Sequence, residues 1–347
     1  MSKYSRRDFL KIAAAGAGAV TLNAVLDACG KVLPTSFPSP EPSTPILDQS
    51  TPSSTTPSPT EIAPAATQTI PIPTNTPTPP PYMVIISGGE PEALVRQAVS
   101  ALGGMARFVS NSARVVVKPN ICVAYHTFEY AATTNPWVVG TLVKLCFEAG
   151  AGSVKVMDNP FGGTQQKAYE ISGIREQVEA AGGEMVNMLT YHYIPTQIPG
   201  AVTLKTTKVY DEILNADVLI NVPIAKQHSS AGLTLGMKNL MGVIQNRGAL
   251  HTDLQQSIAD LNVLIKPQLT VLDAVRILLR GGPTGGNLED VKKLDTIIAS
   301  ADVVAVDSYA TSFFGMNPED LGYITYGSKM GLGRSDLQNL DIQVIQL

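Results

Sequence analysis

Short apolar runs alternate with amphipathic stretches along residues 83–345, and the alternation predicts a chain of strands and helices. Runs at 83–86, 114–117, 153–157, 184–189, 218–222, 269–272, 295–298 and 342–345 have the length and β-branched content of strands. Between them, residues 91–102, 136–149, 165–181, 234–244, 253–265, 302–314 and 321–330 carry helical spacing, with a break near Gly173. Thr134 and Asn135 before Pro136 form a helix start, Gly150 a stop, and Asp302 a cap for the helix that follows it. Strands that are apolar at nearly every position are covered on both faces. The expected fold is therefore α/β, a mainly parallel sheet with helices on both faces, forming a single large domain over 82–347.

The first 81 residues follow different rules. Ser5-Arg6-Arg7-Asp8-Phe9-Leu10-Lys11 is a twin-arginine pattern, and the weakly apolar 12–26 stretch after it has signal character. That stretch is shorter than the roughly 20 apolar residues of a membrane span. Leu26-Asp27-Ala28-Cys29 looks like a lipobox, although Asp27 departs from the small or apolar residue usual there. Lipidation of Cys29 and ordinary signal cleavage are both open at this level. Residues 31–81 are dominated by Pro, Ser and Thr, too poor in apolar surface to fold, and read as a disordered, extended tether. The expected localisation is extracytoplasmic, after twin-arginine export, with a lipid anchor in the cell membrane.

The candidate chemistry lies where the apolar runs end. In open α/β sheets ligands bind outside the carboxyl ends of the strands, and four runs end in polar groups: Lys118-Pro119-Asn120, Asp158-Asn159-Pro160, Pro223 to His228, and Asp273. Lys118, Lys226 and Lys238 suit an anionic ligand, or one of them could serve as a base if burial depresses its pKa; solvated lysines or structural pairs with Asp158 and Asp273 would look the same in sequence. His228 and His251, with Asp253 and Asp260 nearby, are candidates for proton transfer or metal ligation, against the alternative of hydrogen-bonded structural histidines. The Gly281–Gly286 loop could bring backbone N–H groups to an anion or be a plain tight turn; it lacks the Lys-Ser/Thr ending of a P-loop.

Taken together, the stretch Asn221 to Gly242, with Lys118-Pro-Asn120, Asp158-Asn-Pro160, Gly281-Gly-Pro283 and Ser300 to Asp307, closely resembles the domain of unknown function 362, a family often found in iron-sulfur proteins. The resemblance spans about 114–333. It implies that Lys118, Asn120, Thr134, Asp158, Lys226, His228, Thr234, Lys238, Asn239, Gly242, Asp273, Gly282 and Asp307 belong to a shared pattern, and it names no reaction.

Composition narrows the classes further. With 44% hydrophobic and 16% charged residues the chain can bury a large core, and a net charge of −4 argues against a nucleic-acid partner. Cys29, Cys122 and Cys146 are the only cysteines, too few for an iron-sulfur cluster held by four thiolates of this chain; Cys146 has core spacing, and Cys122 follows the Lys-Pro-Asn motif. The leading expectation is an enzyme acting on a small anionic substrate, with a redox or metal link and a redox partner protein. In it Lys226, His228 and Asp158 do the chemistry; Lys118, Asn120, Thr134, Lys238, Asn239, Asp273 and Gly282 bind the ligand; and His228, His251 and Asp253 are the candidate metal ligands. The alternative is a membrane-tethered binding module without catalysis. The cofactor is unknown at this level.

Overall fold

The structure is a computed structural model that describes residues 79–347. The signal pattern, Cys29 and nearly all of the expected tether lie outside the described residues. Along the described chain come β1 (Met83–Ser87), α1 (Pro91–Ala101), β2 (Arg114–Pro119), α2 (Pro136–Glu148), β3 (Ser153–Val156), α3 (Gln165–Ile171), α4 (Ile174–Ala180) and β4 (Glu184–Met185). They are followed by β5 (Tyr193–Gln197), β6 (Thr206–Tyr210), α5 (Asp211–Asn215), β7 (Val218–Val222), β8 (Ile224–His228), β9 (Gly232–Thr234) and α6 (Gly236–Asn239). The chain closes with α7 (Leu254–Leu264), β10 (Leu269–Leu278), β11 (Val291–Ser300), α8 (Val303–Ala310), α9 (Gly322–Lys329) and β12 (Ile342–Gln346).

The main sheet runs β12-β1-β11-β10-β7-β2-β3-β4. Along that path β11 alone is antiparallel to its neighbours, so the predicted mainly parallel α/β sheet is present. The strict alternation of side chains along a strand divides the core in two. Val84, Val115, Val117, Ile220 and Ile297 pack under α1, α2 and α4, whereas Ile85, Val116, Leu219 and Ile298 pack under α7, α8 and α9. Each fully buried Leu or Ile in these layers contributes about 1.5–3 kcal/mol of transfer free energy. Cys146 of α2 is fully buried in the first layer, and burial pushes its thiol up to about 12, as suits a core residue.

Helix starts are local. The side chain of Asn135 accepts from Trp137 N at 3.0 Å ahead of Pro136, and Asp302 accepts from Ala305 N at 2.9 Å. Several elements depart from the hydrophobic pattern. The run at 269–272 does not stop at Asp273; β10 continues to Leu278, with Asp273 inside it and 1% exposed. A carboxylate looked like a terminus there because its partners are distant in sequence: Asn135 N at 2.7 Å, as well as Val275 N at 2.9 Å. The helix expected over 234–244 is the single turn α6 followed by a 3-10 turn at Leu240–Val243, and Thr234 belongs to β9. Gly236 and Gly242 weaken helix propensity there, and tertiary bonds take over. The hairpin β5–β6 carries polar, mostly exposed positions and left no clear apolar run.

The topology positions the site. β10, β7, β2, β3 and β4 are parallel, so their carboxyl ends share one edge. Lys118 lies opposite Asn221 in the register of β2 and β7, Asp158 follows β3, and Pro223 turns the chain from β7 into β8. β8 then pairs beside β10 and antiparallel to β9, bringing Lys226 opposite Thr234.

Candidate functional site

At that edge lies a cavity of about 780 Å³, within the size range of small-molecule sites. Its floor is a buried polar network built around two lysines. Lys118, fully buried, donates to Pro119 O (2.8 Å) and Asn239 Oδ1 (2.9 Å) and pairs with Asp158 Oδ1 at 2.8 Å. Lys226, 1% exposed, donates to Asn120 Oδ1 (2.9 Å), Ala132 O (2.6 Å) and Pro283 O (2.8 Å). An ammonium has three donors, so neither lysine has one left over.

Because lysine can only donate, the amides between these two are oriented without ambiguity. Asn120 turns its oxygen to Lys226 and its Nδ2 to Asn239 Oδ1 (2.9 Å); Asn239 Nδ2 then donates to Asn221 Oδ1 at 2.8 Å, and Asn221 Nδ2 donates to Gly236 O at 2.9 Å. Asp158 completes the floor by accepting from Ile121 N (2.6 Å) and Asn159 N (2.9 Å). Burial pulls both lysines below the usual ammonium range, and Asp158 works against that shift at Lys118.

Gly242 lets the backbone pass directly over the ion pair. A Cβ there would lie 1.9 Å from Asp158 Oδ1 and 2.7 Å from Lys118 Nζ. Gly242→Ala is expected to force the pair apart and destabilise the domain by about 3 kcal/mol or more, read as a lower urea midpoint with unchanged slope.

The cavity wall differs from its floor in having unpartnered groups. Among the described residues Lys238 makes no hydrogen bond and no ion pair, and burial together with Lys226, Arg247 and Lys118 brings its ammonium down to about 7. Thr234 is 3% exposed and its hydroxyl has no partner among the described residues. The Nδ1 of His228 accepts from Ser230 N (3.1 Å) and Ala231 N (3.3 Å), which leaves the ring neutral with its proton on Nε2. Burial, then Lys238, Lys226 and His251, lower this imidazole to about 3. Arg247 donates to Asn159 O (2.9 Å) and Pro160 O (3.0 Å), using two of five guanidinium N–H groups. The Cys122 thiol, 8% exposed, lies close to Lys226 and Lys238.

A profile described as Domain of unknown function (DUF362) matches residues 115–312, more than half of the chain. The chain belongs to the DUF362 family. A twin-arginine translocation signal matches residues 3–22, so the DUF362 domain is exported by that route. The chain is 27% identical over 249 residues to a thylakoid-associated protein of Synechocystis sp., covering 69% of this chain and 75% of that one. Among solved structures, the lactate racemase apoprotein of Thermoanaerobacterium thermosaccharolyticum superposes with a TM-score of 0.43 at 11% identity, covering 66% of this chain and 56% of that one. A Thermotoga maritima protein gives 0.39 at 13% identity, with 66% and 60% covered. The chain thus spans less than two thirds of either solved chain.

In the DUF362 domain the residues singled out in sequence divide into walls and supports. Lys118, Asn120, Asp158, Lys226, His228, Lys238, Asn239 and His251 line the cavity. Thr134 does not: its hydroxyl donates to Val222 O (2.8 Å) and accepts from Asn120 N (2.9 Å), fixing the Lys-Pro-Asn turn from behind. Asp273, expected on the ligand rim, is a buried support at the start of α2, where burial raises its carboxyl to about 6. Gly282 is a backbone contact, its N–H on Gln227 Oε1 at 2.9 Å and no room for a Cβ, which would sit 1.7 Å from Gln227 O.

Asp253, grouped in sequence with His228 and His251, caps α7 by accepting from Gln256 N at 3.2 Å. Among the described residues no cluster of three or more His, Cys, Asp or Glu side chains could hold a metal ion. Asp260 is fully buried and accepts from Val202, Thr203 and Leu204 N. Asp307 accepts from Gly236 N (2.6 Å) and Met237 N (2.8 Å) and anchors α6. Arg247 and Phe161, both on the cavity wall, were missed in sequence. Arg247 follows no apolar strand, and only its reach back to the Asn159-Pro160 carbonyls marks it.

Proposed function

We infer that the exported DUF362 domain takes up a small organic anion in this cavity and acts on it chemically. The observation that carries this reading is Lys238, a cationic side chain on a cavity wall with no partner among the described residues. An ammonium left half-buried and unpaired is costly, and an anion would relieve that cost. Thr234, the Nε2–H of His228 and the free N–H groups of Arg247 supply further donors around it, with no unpaired carboxylate on the wall to repel an anion. Lys118 and Lys226 act at longer range, as fixed positive charge beneath the ligand, and Asp158 is held by Lys118. Proton exchange falls to Lys238, whose ammonium is brought down to about 7.

Calorimetric titration of the purified domain with monocarboxylates and dicarboxylates tests this reading. Lys238 is faced by Lys118, Lys226, Arg247, His228 and Cys122, and it is charged below about pH 7. Anion affinity is expected to be strongest below that pH and to fall as pH rises through it, with the midpoint displaced upward by the bound anion. Affinity independent of pH from 5 to 9 would sink the assignment to Lys238. Recovery of every bound ligand unchanged after long incubation would favour the tethered capture module instead.

The membrane anchor rests on the lipobox-like Leu26 to Cys29 and the Pro/Ser/Thr stretch behind it. Cys29→Ala is expected to move the exported protein from the membrane to the soluble fraction and to abolish fatty-acid incorporation in metabolic labelling. Unchanged fractionation of the variant would refute the anchor.

A further inference from the structure

Resting on that reading of the cavity, the geometry points to Lys238 as a carbonyl-reactive amine that forms an imine with a small oxo acid, a carboxylate carrying an aldehyde or ketone group. Four observations converge on this residue. First, Lys238 is free of the bonds that hold Lys118 and Lys226 in place, so its nitrogen can approach a ligand atom. Second, its backbone is pinned on both sides: Asp307 holds Gly236 N and Met237 N, and Asn239 is locked into the amide network. A short turn fixed in this way sets the amine against the cavity with little freedom to withdraw.

Third, the neighbouring donors suit the reaction. Thr234 Oγ has no partner, and neutral His228 presents an N–H rather than a charge, so either can polarise a carbonyl oxygen without competing for the amine proton. Arg247, on the same cavity wall, would take the carboxylate through the N–H groups that its two carbonyl contacts leave unused. Fourth, desolvation first and the surrounding cations after it keep a fraction of Lys238 unprotonated near neutral pH, which lysines in water do not achieve.

The step balances within the site. The Lys238 nitrogen lone pair attacks the carbonyl carbon, the C=O π pair moves to oxygen, and one N–H proton shed by the now positive nitrogen passes to that oxygen, giving the neutral carbinolamine and restoring the nitrogen lone pair. The nitrogen lone pair then expels the hydroxyl, which leaves as water with the second N–H proton, and the C=N bond remains. No oxidant or reductant is consumed.

The test is reductive trapping on the intact domain with glyoxylate or pyruvate and cyanoborohydride, whose hydride converts the imine to a stable secondary amine, followed by peptide mapping. The expected result is modification at Lys238 at least ~10-fold faster than at exposed lysines such as Lys266 or Lys329, slowed by excess acetate and slowed as pH falls below about 7. Labelling at Lys238 no faster than at those surface lysines would overturn the proposal in the wild-type protein, with no variant required. Lys238→Arg should abolish the fast label while preserving charge; a fast label surviving elsewhere would also overturn it. Anion binding by calorimetry without trapping would leave the anion site standing and remove the imine, whereas failure of both would remove the two readings together.

Discussion

Lys118→Met is expected to destabilise the domain by about 3–5 kcal/mol, because it strands a buried carboxylate rather than merely deleting a contact. Asp158 would keep its bonds from Ile121 N and Asn159 N but lose the ammonium 2.8 Å away, in a place where the residue is 3% exposed. Asn239 Oδ1 and Pro119 O would lose a donor in the same step. Urea unfolding of the single variants and of Lys118→Met/Asp158→Asn measures the pair. The double variant should recover part of the loss, since an amide at position 158 is far cheaper to bury without a cation. Equal losses in the single and double variants would show that the ion pair is not what the floor depends on.

Lys238→Met is expected to act in the opposite direction on stability while removing function. The folded-state value of Lys238, about 7, lies below the ordinary lysine value. Between these values the unfolded chain binds more protons than the folded one, so stability rises with pH across that window and the penalty of the half-buried charge is fully present below about pH 7. Methionine fills nearly the same volume without that penalty and should raise stability by about 1–2 kcal/mol at neutral pH. The gain should disappear above about pH 11, where the wild-type amine is largely neutral in both states. Anion affinity should fall at least ~30-fold, the loss of one charge-assisted contact of about 2 kcal/mol. Thermal melts with and without ligand separate the two effects. A variant that is both less stable and still able to bind would place Lys238 among the structural lysines.

The two lysines therefore differ in kind, and sequence treats them alike. Lys118, Lys226 and Lys238 all follow or adjoin apolar segments at a strand end, and nothing in their spacing shows that two are saturated by carbonyl and amide oxygens. Those acceptors come from residues far away in the chain: Asn239 for Lys118, Asn120 and Pro283 for Lys226. Asp273 was misplaced for the same reason, since its defining partner is the backbone N–H of Asn135.

What the sequence determined by itself was the order of most elements of the main sheet and its helices, the α/β class, the helix caps at Asn135 and Asp302, the export signal, and most of the polar residues at the strand ends. These are local properties: side-chain periodicity, propensity and capping act over a few residues, and the parallel arrangement follows once strands and helices alternate. Only the tertiary structure decided which of those polar groups face a ligand and which hold the fold. A buried donor or acceptor is used or free according to the atoms opposite it, and in this domain those atoms are supplied by β2, β8, the α6 turn and the Gly281–Gly286 loop, which meet only when the sheet closes.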